Sequence, residues 1–70
     1  MDSLIYVTIL SLTTNGSEVR RVRFAKTLDK AESDFRELLN LTKTEQDFIG
    51  RPYTLSTYKA SEIIHSEVEA

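Results

Sequence analysis

Seventy residues with a net charge of −2 and no cysteine make one small domain. A chain this short buries only about 60% of the surface its unfolded form exposes, and the usual staples are excluded. No disulfide can form, and a single histidine, His65, is too few for a structural zinc site, which leaves association with itself or a partner.

In chain order, the first element is a β-hairpin over residues 3–26. Ser3–Thr13 and Glu18–Lys26 are rich in β-branched and aromatic residues. Between them lies Thr14-Asn15-Gly16-Ser17, and Asn-Gly is the favoured pair for a two-residue turn that needs positive φ twice. That turn fixes a register: Leu12 opposite Val19, Leu10 opposite Arg21, Ile9 opposite Val22 and Val7 opposite Phe24. Side chains alternate across a sheet, so one face holds Ile5, Val7, Ile9, Val22 and Phe24. The other holds Tyr6, Thr8, Leu10, Leu12, Val19, Arg21 and Arg23. The first is entirely apolar and is expected to be the core face.

Residues 28–41 read as a helix. Leu28, Ala31, Phe35, Leu38, Leu39 and Thr42 fall within an arc of about 100°. Asp29 and Glu32 have capping-box spacing, with Thr27 as a rival cap. The acids Asp29, Glu32, Asp34 and Glu37 are expected on the outer face among Lys30 and Arg36. Residues 44–49 form a short helical turn closed by Gly50, and residues 53–59 form a third strand. The tail, residues 60–70, fits a short helix through Ala60, Ile63, Ile64 and Val68; a strand continuing from Tyr58 is the competing reading.

These elements predict an α+β, two-layer ββαβ domain. A right-handed crossover places strand three beside strand one, giving an antiparallel three-stranded sheet in the order 2-1-3 with one helix on one face.

The chemistry of an enzyme is missing from this pattern. His65 lies in a polar tail, and the three tyrosines have no activating base beside them. Gly16 and Gly50, the only glycines, belong to a turn and a cap rather than a phosphate cradle. No catalytic residue, metal or cofactor is assigned. The run Leu4–Leu12 is too short and too polar to span a bilayer, and it lacks the basic flank of a signal peptide. The expected location is cytoplasmic, so the sequons at Asn15 and Asn40 are chance matches.

With the helix on the first face, Tyr6, Leu10, Leu12 and Val19 are left in view, rimmed by Arg21 and Arg23. Apolar centres with tyrosine and an arginine rim are the composition of protein interfaces. These six residues are the predicted partner-binding surface, unless Ile63, Ile64 and Val68 fold back over it. Charge is uneven along the chain. Residues 1–27 carry Arg20, Arg21, Arg23 and Lys26 against Asp2 and Glu18, while residues 28–47 carry six acids against three bases. A second expectation is therefore a nucleic-acid-associated protein using the Arg20–Arg23 strand, although eleven acids dilute those cations. A third is a small structural subunit of a larger assembly.

Very small cysteine-free ββαβ domains without chemistry are common among accessory proteins of phages and mobile elements. This is a resemblance of architecture and size, with no motif behind it. It implies a non-enzymatic module that inhibits or regulates a host protein by direct binding. The expected partners are a protein or a second copy forming a homodimer, not a membrane.

Overall fold

A computed structural model describes residues 5–12, 19–60 and 62–69. The chain runs β1 (Tyr6–Leu12), β2 (Arg20–Ala25), α1 (Leu28–Thr44), β3 (Tyr53–Lys59) and β4 (Glu62–Glu69). The four strands form one antiparallel sheet in the order β2-β1-β3-β4, and α1 packs on β1, β2 and β3. The architecture is α+β with two layers, and the order 2-1-3 stands.

The hairpin register is the one the sequence predicts. Val7 pairs with Phe24, Ile9 with Val22 and Leu10 with Arg21. The Leu12 amide donates to the Val19 carbonyl at 3.0 Å, which continues the same register. The Asn15-Gly16 turn itself lies outside the described residues.

The face assignment is inverted. Helix α1 covers the side bearing Leu10, Leu12, Arg21 and Arg23, not the side bearing Val7, Ile9, Val22 and Phe24. Leu10 and Leu12 join Leu38, Phe48, Tyr53 and Leu55 in the core, and Leu10 and Leu55 are 0% exposed. Chain chirality explains this. In an antiparallel pair, residues that exchange backbone hydrogen bonds turn their side chains to one face, and those between them turn to the other. The Leu12–Val19 hydrogen bond marks that pair, and by alternation Leu10–Arg21, as the bonded kind. For L-residues, a right-handed crossover from β2 to β3 sets the helix over the bonded set. Two further features favour the same face. Thr8 and Thr57, facing each other across β1 and β3, share a buried hydroxyl–hydroxyl bond of 2.8 Å. The arginines of β2 also find carboxylates on the helical segment.

Helix α1 begins at Thr27, whose hydroxyl accepts from the Lys30 amide at 3.2 Å, so the rival cap is the one used. It runs three residues past the predicted end, to Thr44. Its fully buried positions are Ala31, Asp34, Leu38 and Thr42. The stripe is thus turned by roughly 45° from the predicted arc at 100° per residue, toward Asp34 and away from Leu28. Phe35 and Leu39 are half-buried on one flank, while Leu28 is exposed. Asp34, expected on the outer face, is 4% exposed. One helical turn follows, with the Ile49 amide on the Glu45 carbonyl, and it closes at Gly50 with φ +74°.

The tail is a strand. β4 pairs along β3, with an irregularity between Thr57 and Tyr58, rather than forming the predicted helix. It does not fold back over either face of the sheet; it widens the sheet by one strand. No helix among the described residues is long and apolar enough to cross a membrane.

Candidate protein-binding surface

The six residues predicted as a partner surface lie on the helix-facing side. Leu10 and Leu12 are buried, and Val19 packs against the same core half-buried. Arg21 lies over the Phe48 ring, 5.4 Å from its centroid, and donates to Glu45 Oε1 at 2.6 Å, with Asp47 at 4.0 Å. Arg23 Nε reaches Glu37 Oε1 at 3.4 Å. Tyr6 carries the Lys59 ammonium 5.2 Å from its ring centroid. The two arginines are spent on holding the helical segment to the sheet, while Tyr6 pairs with Lys59 within the sheet. The cations that motivated a nucleic-acid surface are largely the same groups, so two of the three arginines on β2 face carboxylates of their own chain.

The surface in view is the opposite one. Pairing across the sheet lines up Phe24, Val7, Tyr58 and Ile63 as one row spanning all four strands. The next row is Val22, Ile9, Ser56 and Ser66, and the third is Arg20, Ser11, Thr54 and Val68. Ile5, just before β1, continues the alternation. None of the described elements covers this side. Phe24 and Val68 are each 64% exposed and Ile63 59%, with Ile5 at 41% and Val22 at 37%. Val7, Ile9 and Tyr58, in the middle strands, are shielded only by their neighbours in the sheet.

The face carries few charges. Among its described residues Arg20 stands at the end of an edge strand, and Lys26, just after β2, continues the alternation opposite Ile5. Ser56 and Ser66 hydroxyls lie 3.3 Å apart and satisfy each other. Four strands about 4.8 Å apart, seven residues long at about 3.3 Å each, span roughly 19 by 23 Å. That is a face of roughly 430 Å², of which the apolar row and Ile5, Ile9 and Val22 make up one continuous part.

A second feature lies between α1 and β4. His65 crosses from the strand to the helix, its ring centroid 5.6 Å from that of Phe35 and its Nε2 3.5 Å from Glu32 Oε2. With Arg36 and Leu39 these residues line an open groove of about 280 Å³. No group of three or more metal-binding side chains converges among the described residues.

The sequence held the signal for the open face. Its residues are the set Ile5, Val7, Ile9, Val22 and Phe24, recognised as uniformly apolar and assigned to the core. The register together with the crossover hand, followed one step further, places that set opposite the helix. No protein-family model, curated protein or solved structure matches the chain.

Proposed function

We propose that this chain is a non-enzymatic protein-binding module whose contact surface is the open face of its sheet. The observation that carries the reading is the uncharged apolar row Phe24–Val7–Tyr58–Ile63, left uncovered by the one helix among the described residues. Burial of a large apolar side chain contributes roughly 1.5–3 kcal/mol. A small domain leaves several such residues in water at a cost to solubility, and that arrangement is the composition of an interface centre. Arg20 at the end of β2 and the hydroxyls of Ser11 and Thr54 form the polar margin. A small accessory protein that regulates or inhibits another protein by direct binding is the form of this proposal, on size and architecture.

The test is capture from an extract of the source cells by the immobilised wild-type chain and by two variants. Phe24→Glu alters the open face, and Ile49→Glu places the same charge on an exposed apolar residue in the turn after α1, off that face. Proteins retained by wild type and Ile49→Glu, and lost with Phe24→Glu, support the reading. Retention unaffected by Phe24→Glu places binding elsewhere.

A further inference from the structure

We infer that β4 is a detachable strand, latched to the domain by His65, whose release uncovers the pairing edge of β3 while the rest of the fold stays closed. The movement belongs to the single chain and does not depend on what the open face binds.

The first support is that β4 takes no part in the core. The buried cluster is drawn from β1, α1, the turn after it and β3, with Val19, Phe35, Leu39 and Leu41 packed against it. Every side chain from Glu62 to Val68 is exposed. Among the described residues no Cα of β4 comes within 8 Å of one in α1, which packs on β1, β2 and β3. What holds β4 is therefore its ladder to β3. Backbone hydrogen bonds in exposed strands contribute little net stability beyond the entropy lost in ordering them. Segments with few buried apolar contacts open at low free energy.

The second support is the link. Ala60 adopts φ +57° where the chain turns from β3 into β4, and left-handed strain on a residue with a Cβ is relieved once that turn opens. The register also shifts between Thr57 and Tyr58, which leaves Ile64 without a partner across the ladder. Beside that irregularity stands His65, whose ring lies 5.6 Å from that of Phe35 and whose Nε2 lies 3.5 Å from Glu32 Oε2. Among the described residues it alone ties β4 to the helix by a ring contact or an ion pair.

The third support is the chemistry of the two strands. β3 reads Tyr-Thr-Leu-Ser-Thr-Tyr-Lys, rich in β-forming residues and free of acids. β4 carries Glu62, Glu67 and Glu69 and the irregularity at Ile64, features by which an outermost strand resists further pairing. Docked, β4 guards an edge that is otherwise suited to accept a strand. Released, it leaves that edge bare.

Native-state hydrogen exchange followed by NMR on the full chain, at one fixed pH and in rising sub-denaturing urea, tests this. The β4 amides bonded to β3, and the alternate β3 amides bonded to β4, are expected to exchange as one group. That group exchanges at least about a hundredfold faster than the Leu10 amide in the central strand, and its rate climbs less steeply with urea because its opening exposes little surface. His65→Ala removes the latch from the docked state alone. It therefore speeds the group about three- to tenfold, the size of one aromatic contact, and speeds the Leu10 amide by the same factor. Leu12→Val, in the core, speeds the Leu10 amide and leaves the β4 group as it was, because the core is intact after release. Circular dichroism establishes that both variants fold; should Leu12→Val unfold, the urea slopes carry that arm. A group as well protected as Leu10, or one sped by Leu12→Val, makes β4 part of a single cooperative unit and overturns the inference. Amides of β4 that exchange independently of one another, or a group that His65→Ala does not move, overturn the latch.

Discussion

Leu10 and Phe24 put the inverted face to a direct test, because side-chain size and burial make opposite forecasts for them. Phenylalanine is the larger residue, and by apolar content its face is the natural core. In the structure Leu10 is 0% exposed beneath α1, whereas Phe24 is 64% exposed on the uncovered side. Truncating a fully buried leucine to alanine removes its transfer free energy and leaves a cavity, together about 2–5 kcal/mol. A full Phe→Ala loss is about 3–5 kcal/mol when the ring is buried. With only about a third of the ring's burial to lose, Phe24→Ala costs roughly 1 kcal/mol or less. A chain of this length has on the order of 4–10 kcal/mol of stability in all. At about 4–8 °C per kcal/mol, Leu10→Ala lowers the melting temperature by more than about 10 °C or leaves the chain unfolded. Phe24→Ala shifts it by a few degrees. Thermal and urea unfolding followed by circular dichroism, at one fixed low concentration, read both. Equal losses, or a larger loss for Phe24→Ala, mean that the helix lies over the other face.

Two further substitutions probe positions where local rules are broken. Asp34 is buried on the helix stripe, with Oδ1 held by the Lys30 ammonium at 2.6 Å and Oδ2 accepting no hydrogen bond among the described residues. Asp34→Ala removes an unsatisfied buried acceptor, worth about 1–3 kcal/mol, and gains about 0.5 kcal/mol of helix propensity. It forfeits an i,i+4 pair worth about 0.5 kcal/mol, so a rise of about 1 kcal/mol or more in urea-unfolding free energy is expected; destabilisation means that Oδ2 has a partner. Ala60 sits at φ +57° in the link between β3 and β4. Ala60→Gly relieves a left-handed strain of about 1–2 kcal/mol, offset in part by the added freedom of the unfolded chain, and a melting temperature raised by a few degrees is the expected reading.

Where sequence and structure part company, the causes are specific. The hairpin register and β3 were legible because period-2 alternation and the Asn-Gly pair are local signals. β4 was not, because its link is Lys59-Ala60-Ser61-Glu62, with neither glycine nor asparagine to announce positive φ. The chain adopts that φ on alanine, and the gain that supports it is the long β3–β4 ladder. The rotation of α1 has a similar origin. Residue type alone sets the stripe on Phe35, yet α1 and the turn after it must also bring Glu37 and Glu45 to Arg23 and Arg21 on β2. That tilt buries Asp34 and swings Phe35 toward His65.

The open face follows from the same pairing. Arginines at alternate positions of β2 need carboxylates if a helix is to cover them, and the helical segment supplies carboxylates at the matching places. On the same face Arg21 pairs with Leu10 and Arg23 with Thr8 of the buried Thr8–Thr57 pair, so the leucines of β1 are sealed in with them. Ile5, Val7, Ile9, Val22 and Phe24 carry no group that needs the helix, and there is no second helix among the described residues. Their apolarity suggested burial, yet among the described elements they stay on the uncovered side. An uninterrupted apolar face on a hairpin therefore reads as core only after the crossover hand has been worked out. In a two-layer domain of this kind, the more uniformly apolar face can be the one that the helix leaves open.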